Sequence, residues 1–409
     1  MAIGFQAFFI MMSLGFGIGA AMGALVCNAR GRKHDKEARL YILQGLSFAA
    51  VTTALLIVLG AIFGPYLINI VSEPGAYREA GTGYFYWLLA ALPGFLLAFS
   101  GNGILQAHGD SVTMQRAMMA AFFANIGLNP LFIFGLPGVL PAMGFNGIAL
   151  ATIVSQTGVM LLVLRAILQL RVAQGMKLAE LAPNLTAYRA ILVQMAPTSL
   201  SFVVMFTSGF VVQYALSQFG GHAIAAYGVA LRIEQILLLP VLGMTGALLP
   251  IAAQNFGAQD FDRVREAVWF CWKLGAVMTI GAAPILWFGG GLAMSLFTDD
   301  PEVVAVGHSY LRVNSFLFIV YMMLFSINSF LQAMKRPIWT LWISIYRQGF
   351  GVAFFVWLLI GVLGMDVWGV WLGIGIAVST GWCIALVITL RVARDEIGGL
   401  TRQTTTLAG

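Results

Sequence analysis

Charge is what this sequence has least of. Only 9% of its 409 residues are Asp, Glu, Lys or Arg, against roughly 25% in an ordinary soluble domain. With 60% hydrophobic residues and a mean hydropathy of +0.90, that deficit excludes a soluble globular protein. The usual chemistry-bearing residues are scarce as well. The four histidines, His34, His108, His222 and His308, fall in loops or at the ends of apolar runs. Cys27, Cys271 and Cys383 lack metal-ligand spacing and read as small packing residues. No HExxH, GxSxG or GxxxxGK[ST] sequence is present, so an enzyme finds no support. No filter-like repeat or ring of charge suggests a channel. No charged n-region with a cleavage site opens the chain, and no removable signal peptide is expected.

What is present is a series of apolar runs, each near the 20 or so residues that cross a bilayer as a helix. Eleven spans can be drawn, at about 4–28, 40–70, 82–106, 112–135, 146–171, 189–217, 223–252, 264–296, 305–333, 338–363 and 367–393. The fold class is therefore an all-α membrane protein. A net charge of +6 would suggest nucleic acid in a soluble chain. Here the basic residues occupy alternate loops, so no nucleic-acid partner is expected. Arg30, Arg32, Lys33, Lys36 and Arg39 share one side with Arg171, Lys177, Arg189, Arg263, Arg265, Lys335, Arg336, Arg391, Arg394 and Arg402. The other side holds Glu73, Glu79, Asp299, Asp300, Glu302 and Asp366 against Arg78 alone. The positive-inside rule places the first set, and the C-terminus, in the cytoplasm, in contact with anionic lipid.

The chain is also internally duplicated. Residues 99–107 (FSGNGILQA) return 226 residues later as 325–333 (FSINSFLQA), with six of nine positions identical. The same offset pairs Gly17 with Gly243, Ala21 with Ala247, Gly31 with Gly257, Arg39 with Arg265, Glu73 with Asp299 and Tyr84 with Tyr310. A duplicated membrane half-protein is the mark of secondary transporters, whose substrate sites lie between the repeats. Two pseudo-symmetric lobes follow: an N-terminal lobe over 1–171, a cytoplasmic linker over 172–188, a C-terminal lobe over 189–395 and a tail over 396–409. The counterpart of the span 189–217 would precede residue 1, so the lobes are expected to hold five and six helices, with a first helix missing. A short interfacial helix is expected in the linker and disorder in the tail.

Polar residues inside the spans are the candidates for function. Of sixteen acidic residues, Glu234 alone lies well inside a span. A charge at that depth costs roughly 2.5–3.5 kcal/mol on insertion scales. Glu234 therefore reads as a protonatable or cation-binding carboxylate, or as half of a structural ion pair. Arg232 points to another helix face, and Arg347 in a different span is the better partner. Asn125 and Asn129 share a helix face before Pro130; they suit a cation, a polar substrate or the kink itself. The duplicated amides Asn102, Gln106, Asn328 and Gln332 suit helix–helix hydrogen bonds or the interior of each lobe. Pro197, Pro240 and Pro250 with Gly243 and Gly246 suit hinged helices. Tyr321 is a candidate for an adaptable pocket with Met322, Met323, Phe202, Met205 and Phe206.

Four segments carry a resemblance: NGILQAHGD (102–110), NIGLNPLFIFG (125–135), GFNGIALATIVSQ (144–156) and AAQNFGAQDFDRVREA (252–267). In order, and over nearly all of residues 1–395, the chain resembles the multidrug and toxic compound extrusion (MATE) family, its bacterial NorM/DinF-like members. The resemblance implies two six-helix lobes rocking to export cationic, amphipathic small molecules across the bacterial inner membrane, in exchange for H+ or Na+. No catalytic residue, resident metal or cofactor is implied, and a monomer is expected. A flippase or exporter of a lipid-linked or polar metabolite is the alternative; an embedded enzyme or scaffold is a remote one. The sequence departs from the family pattern at Gln106, where Arg is usual, and at Asn129, where many members carry a cation-site Asp. No acid occurs in 189–217 or 305–333, which leaves Glu234, with Arg232 and Arg347, as the expected coupling site.

Overall fold

The computed structural model describes residues 2–71, 75–136 and 138–401. Glu73 and the tail 402–409 lie outside the described residues. Among the described residues, eleven helices are long and apolar enough to cross a membrane. They are α1 (Ala2–Gly31), α2 (Asp35–Val71), α3 (Ala76–Ala107), α4 (Thr113–Phe134), α5 (Phe145–Leu168), α6 (Leu185–Ser217), α7 (Gly221–Gly257), α8 (Phe261–Ser295) and α9 (Pro301–Ala333), followed by α10 (Ile338–Val362) and α11 (Val367–Ile397). Helices satisfy their own backbone groups, which lipid cannot do. Large apolar side chains on their outer faces stay uncovered by protein: Phe288 is 81% and Phe134 77% exposed. Among the described residues the sole β pairing is an isolated bridge between Leu136 and Leu140.

The chain divides into two compact units, residues 1–199 and 200–409. The division falls inside α6 rather than in the connector, because the first half of α6 packs on α1. A Cβ on Gly17 would strike Ser199 Oγ and the Met195 carbonyl. Within the first unit α3 is the central helix, packed on α1, α2 and α5; within the second, α9 packs on α7, α8 and α11.

The repeat register holds in backbone detail. Left-handed φ values recur at Lys33 (59°) and Gln259 (61°), and at Gly109 (81°) and Lys335 (57°), each pair 226 residues apart. It also holds where helices cross. A Cβ on Gly103 of α3 would collide with the Gly19 carbonyl of α1. At the equivalent crossing Ser329 donates its hydroxyl to the Thr245 carbonyl at 2.8 Å. Lipid supplies little hydrophobic drive between helices, so such close approaches hold the helices of each unit together. Gly103→Val is expected to lower stability by about 1–3 kcal/mol, read as a reduced unfolding midpoint in detergent, whereas the same change at Gly127, which has open space, is expected to leave it nearly unaltered.

Arg39 and Arg265 share a duty in the two units. Arg39 holds the segment after α5, donating to the carbonyls of Val172 (2.9 Å), Gln174 (2.8 Å) and Gly175 (3.0 Å) and pairing with Glu180. Arg265 holds the segment after α11 through the carbonyls of Ile397 and Gly399, and Trp269 Nε1 donates to Leu400 O. The short helix expected in the linker takes the form of two 3-10 helices, Arg171–Ala173 and Leu178–Leu181. Gly175 (φ 67°) interrupts it, and Gln44 and Ser47 take up carbonyls of residues 180–182. Of the expected tail, residues 396–401 are described: α11 ends in a left-handed Gly398 (φ 71°) that returns the chain to Arg265.

Candidate functional site

Glu234 lies on the inward face of α7 and is 6% exposed. Its Oε2 accepts a hydrogen bond from the Tyr310 hydroxyl of α9 at 2.7 Å. Tyr310 is clamped in place: its ring meets Tyr227 edge-on at 5.4 Å and Trp371 of α11 at 5.0 Å. Trp371 stacks on Tyr227 and donates Nε1 to Ser309 Oγ at 3.0 Å. One helical turn beyond Tyr310, Asn314 comes up beside the carboxyl with both amide atoms buried. Three helices thus supply a rigid aromatic wall, one carboxyl and a buried amide.

The balancing charge comes from a fourth helix. Arg347 is 9% exposed and sits in a π-helical stretch, Ile345–Gly351, within α10. Such irregular turns are frequent at functional sites. Arg347 acts electrostatically on Glu234 and on Tyr321, without a direct ion pair to the carboxylate, and its Nε has no hydrogen-bond partner. Gly381 makes room for it, since a Cβ there would sit 2.9 Å from Arg347 Cβ. Glu234, Arg347 and Tyr321 lie within electrostatic reach of one another; the sequence paired the first two and set Tyr321 in a separate pocket. Tyr227, Tyr310, Asn314 and Trp371 were not anticipated as their company. Arg232 does not join them: it is exposed, two residues round the helix from Glu234.

Translation by the repeat makes the asymmetry of this cluster concrete. In the first unit Phe8 stands at the Glu234 position and Phe95 at the Tyr321 position, and their rings meet edge-on at 5.5 Å. Tyr84 is retained at the Tyr310 position, against Phe145 at that of Trp371, with ring centroids 5.0 Å apart. Asn314 becomes Leu88 and Arg347 becomes Ala121. One architecture thus holds an apolar junction in one unit and a charged one in the other.

The first unit keeps its polar side chains elsewhere. Asn129 Nδ2 donates to Asn125 Oδ1 at 2.7 Å, and Asn125 Nδ2 donates to Ser155 Oγ of α5 at 2.8 Å. Asn129 Oδ1 is left buried without a partner, just before Pro130. The duplicated amides lie at the crossing of the central helices with their neighbours. Asn102 and Gln106 are half-buried with no side-chain hydrogen bond among the described residues, and the Asn328 carbonyl oxygen is buried unpaired. Gln332 is half-buried. The neighbouring Ser329 makes a helix–helix bond at that crossing. The motif residue Asp110 accepts from the Val112 and Thr113 amides at 3.0 and 2.9 Å and orders the start of α4. Burial raises its pKa, but those bonds, the Thr113 hydroxyl and the Arg116 charge outweigh it and hold the carboxyl below the usual range.

Eleven long apolar helices in two repeated units, with a charged cluster inside one of them, define a polytopic membrane transporter. A MatE family model matches residues 1–131 and 197–357, and the chain belongs to this family of multidrug efflux proteins, which are transporters and not enzymes. It is 26% identical over 378 residues to the probable multidrug resistance protein YoeA of Bacillus subtilis, covering 90% of this chain and 80% of that one. It is 27% identical over 349 residues to an FAD transporter of Shewanella oneidensis, covering 84% and 76%. A solved MOP superfamily transporter from Pyrococcus furiosus superimposes with a TM-score of 0.88 at 20% identity, over 98% of this chain and 88% of that one. A Vibrio cholerae MATE transporter gives 0.88 at 21% identity, over 96% and 88%. The protein is a multi-pass protein of the bacterial inner membrane.

Proposed function

We propose that this chain is a secondary antiporter that exports cationic, amphipathic small molecules in exchange for H+ or Na+, with Glu234 as the coupling group. The observation that carries the reading is the isolation of Glu234. It is the one acidic residue well inside a span, it is buried, and it faces Tyr310, Asn314, Tyr321 and Arg347 rather than lipid. An ionisable group held there at such cost is retained for work that an apolar side chain cannot do, and the first unit manages the same junction with Phe8. Asn125 and Asn129, with the free Asn129 oxygen, form a second polar site of the same proposal in the first unit. The C-terminus is cytoplasmic, the protein a monomer and no resident cofactor takes part.

A second reading has its own support. Arg347 is a buried, permanently charged cation, and the Shewanella relative is named for FAD, an anionic dinucleotide. Export of a polar, anionic metabolite is the alternative. Expression in cells stripped of their own pumps separates the two. Cation export is expected to lower ethidium accumulation several-fold and to leave extracellular flavin unchanged. Unaltered ethidium with raised extracellular flavin would move the assignment to the metabolite reading.

A further inference from the structure

Away from the Glu234 cluster, the second unit carries another charged residue inside a span. Arg312 lies eleven residues into α9, about 16 Å along the axis. It makes no ion pair or side-chain hydrogen bond among the described residues; its sole partner is the face of Trp287 in α8, 5.7 Å from the ring centroid. It opens into a groove of about 420 Å³ between α8 and α11, floored by α9. Apart from the guanidinium the walls are almost wholly apolar, with Trp287, Phe316, Trp368, Leu372 and Ile376 the principal ones. Trp368 is the second residue of α11, at the end of the unit that bears Asp300 and Asp366.

From this we infer that the groove binds an anionic phospholipid, its phosphate on Arg312 and one acyl chain along Phe316, Leu372 and Ile376. A guanidinium in a spanning segment without a carboxylate demands an anion, and its planar fork matches phosphate in two parallel bonds. The apolar walls demand that the anion bring a hydrocarbon body. The lining of α11 runs from Trp368 to Thr380, twelve residues or about 18 Å, close to the roughly 15 Å of half a bilayer core. Trp368 and Trp287 flank the head-group end, as tryptophans do at membrane interfaces. The feature belongs to the second unit alone. In the first, Tyr86 replaces Arg312 and bonds its own unit's Ala61 carbonyl at 3.3 Å, while Ala61 and Ala142 replace the two tryptophans.

The test is native mass spectrometry of the full chain in detergent, titrated with phosphatidylglycerol and phosphatidylcholine of matched chains. One phosphatidylglycerol is expected to be retained in preference to phosphatidylcholine, and Arg312→Gln to lower its occupancy about fivefold. Gly375→Leu is expected to remove it while leaving the charge: a Cβ there meets Val313 and Leu317 at ordinary contact distances of 3.5 and 3.8 Å, so the side chain fills the groove rather than the core. Excess inorganic phosphate is expected not to displace the lipid. Equal retention of the two lipids, unchanged binding by Gly375→Leu, or displacement by phosphate alone would overturn the inference, even if Arg312→Gln failed to fold.

Discussion

Glu234→Gln is expected to bring export to the background of cells lacking the protein, with the folded protein still in the membrane. Glutamine keeps the volume of the side chain and an oxygen to accept the Tyr310 hydroxyl bond, now 2.7 Å, so the aromatic wall of Tyr227, Tyr310 and Trp371 stays assembled. What it removes is the capacity to gain and lose a charge. The measurement is dye accumulation in pump-deficient cells at matched membrane expression, with a size-exclusion profile as the control for folding. Tyr310→Phe supplies a graded companion: it deletes one hydrogen bond to a charged group, about 1.5–3 kcal/mol, and is expected to weaken export without abolishing it. A Glu234→Gln protein that exports like the wild type would remove the proposed coupling role.

Arg347→Ala is expected to have the largest effect on stability. Glu234 would be left without its balancing cation in a buried site, at a cost of about 0.5–3 kcal/mol for two charges that are coupled without direct contact. Simultaneous Glu234→Gln is expected to recover part of that loss, because no uncompensated carboxylate then remains, and the double-mutant cycle gives the coupling directly. Thermal unfolding in detergent reads all three proteins. Arg232→Ala is the natural control, since that side chain is exposed and such changes usually stay within about 0.5 kcal/mol. Equal unfolding midpoints for Arg347→Ala and Arg232→Ala would show that Arg347 does not balance Glu234.

Much of the architecture was legible in the sequence for simple reasons. Apolar run lengths mark helices that must cross a bilayer, and α9, expected over 305–333, runs from Pro301 to Ala333. The 226-residue offset was readable in FSGNGILQA alone, and it extends to the matched backbone angles at Lys33 and Gln259. The candidate site was legible only in part. Glu234 announced itself by being the acid out of place, and Arg347 by being a cation in another span. Their neighbours did not, because hydropathy says that a residue is inside a helix and not which helix it meets. Tyr310 was visible as the repeat partner of Tyr84, yet nothing in one sequence says that its hydroxyl finds a carboxylate while Tyr84 lies against Phe145. For the duplicated amides, repetition marks positions that the architecture uses without saying which partner each amide meets. Arg312 was not singled out because its groove is lined from three helices that a single sequence does not bring together.

The most direct test of Glu234 as the coupling group is flux in proteoliposomes containing the purified chain, with substrate efflux and ion uptake recorded together under imposed H+ or Na+ gradients. Wild-type protein is expected to drive substrate against its gradient at the expense of one ion. Glu234→Gln is expected to retain substrate-for-substrate exchange while losing every response to that gradient. Gradient-driven transport by Glu234→Gln at the wild-type rate would contradict the account.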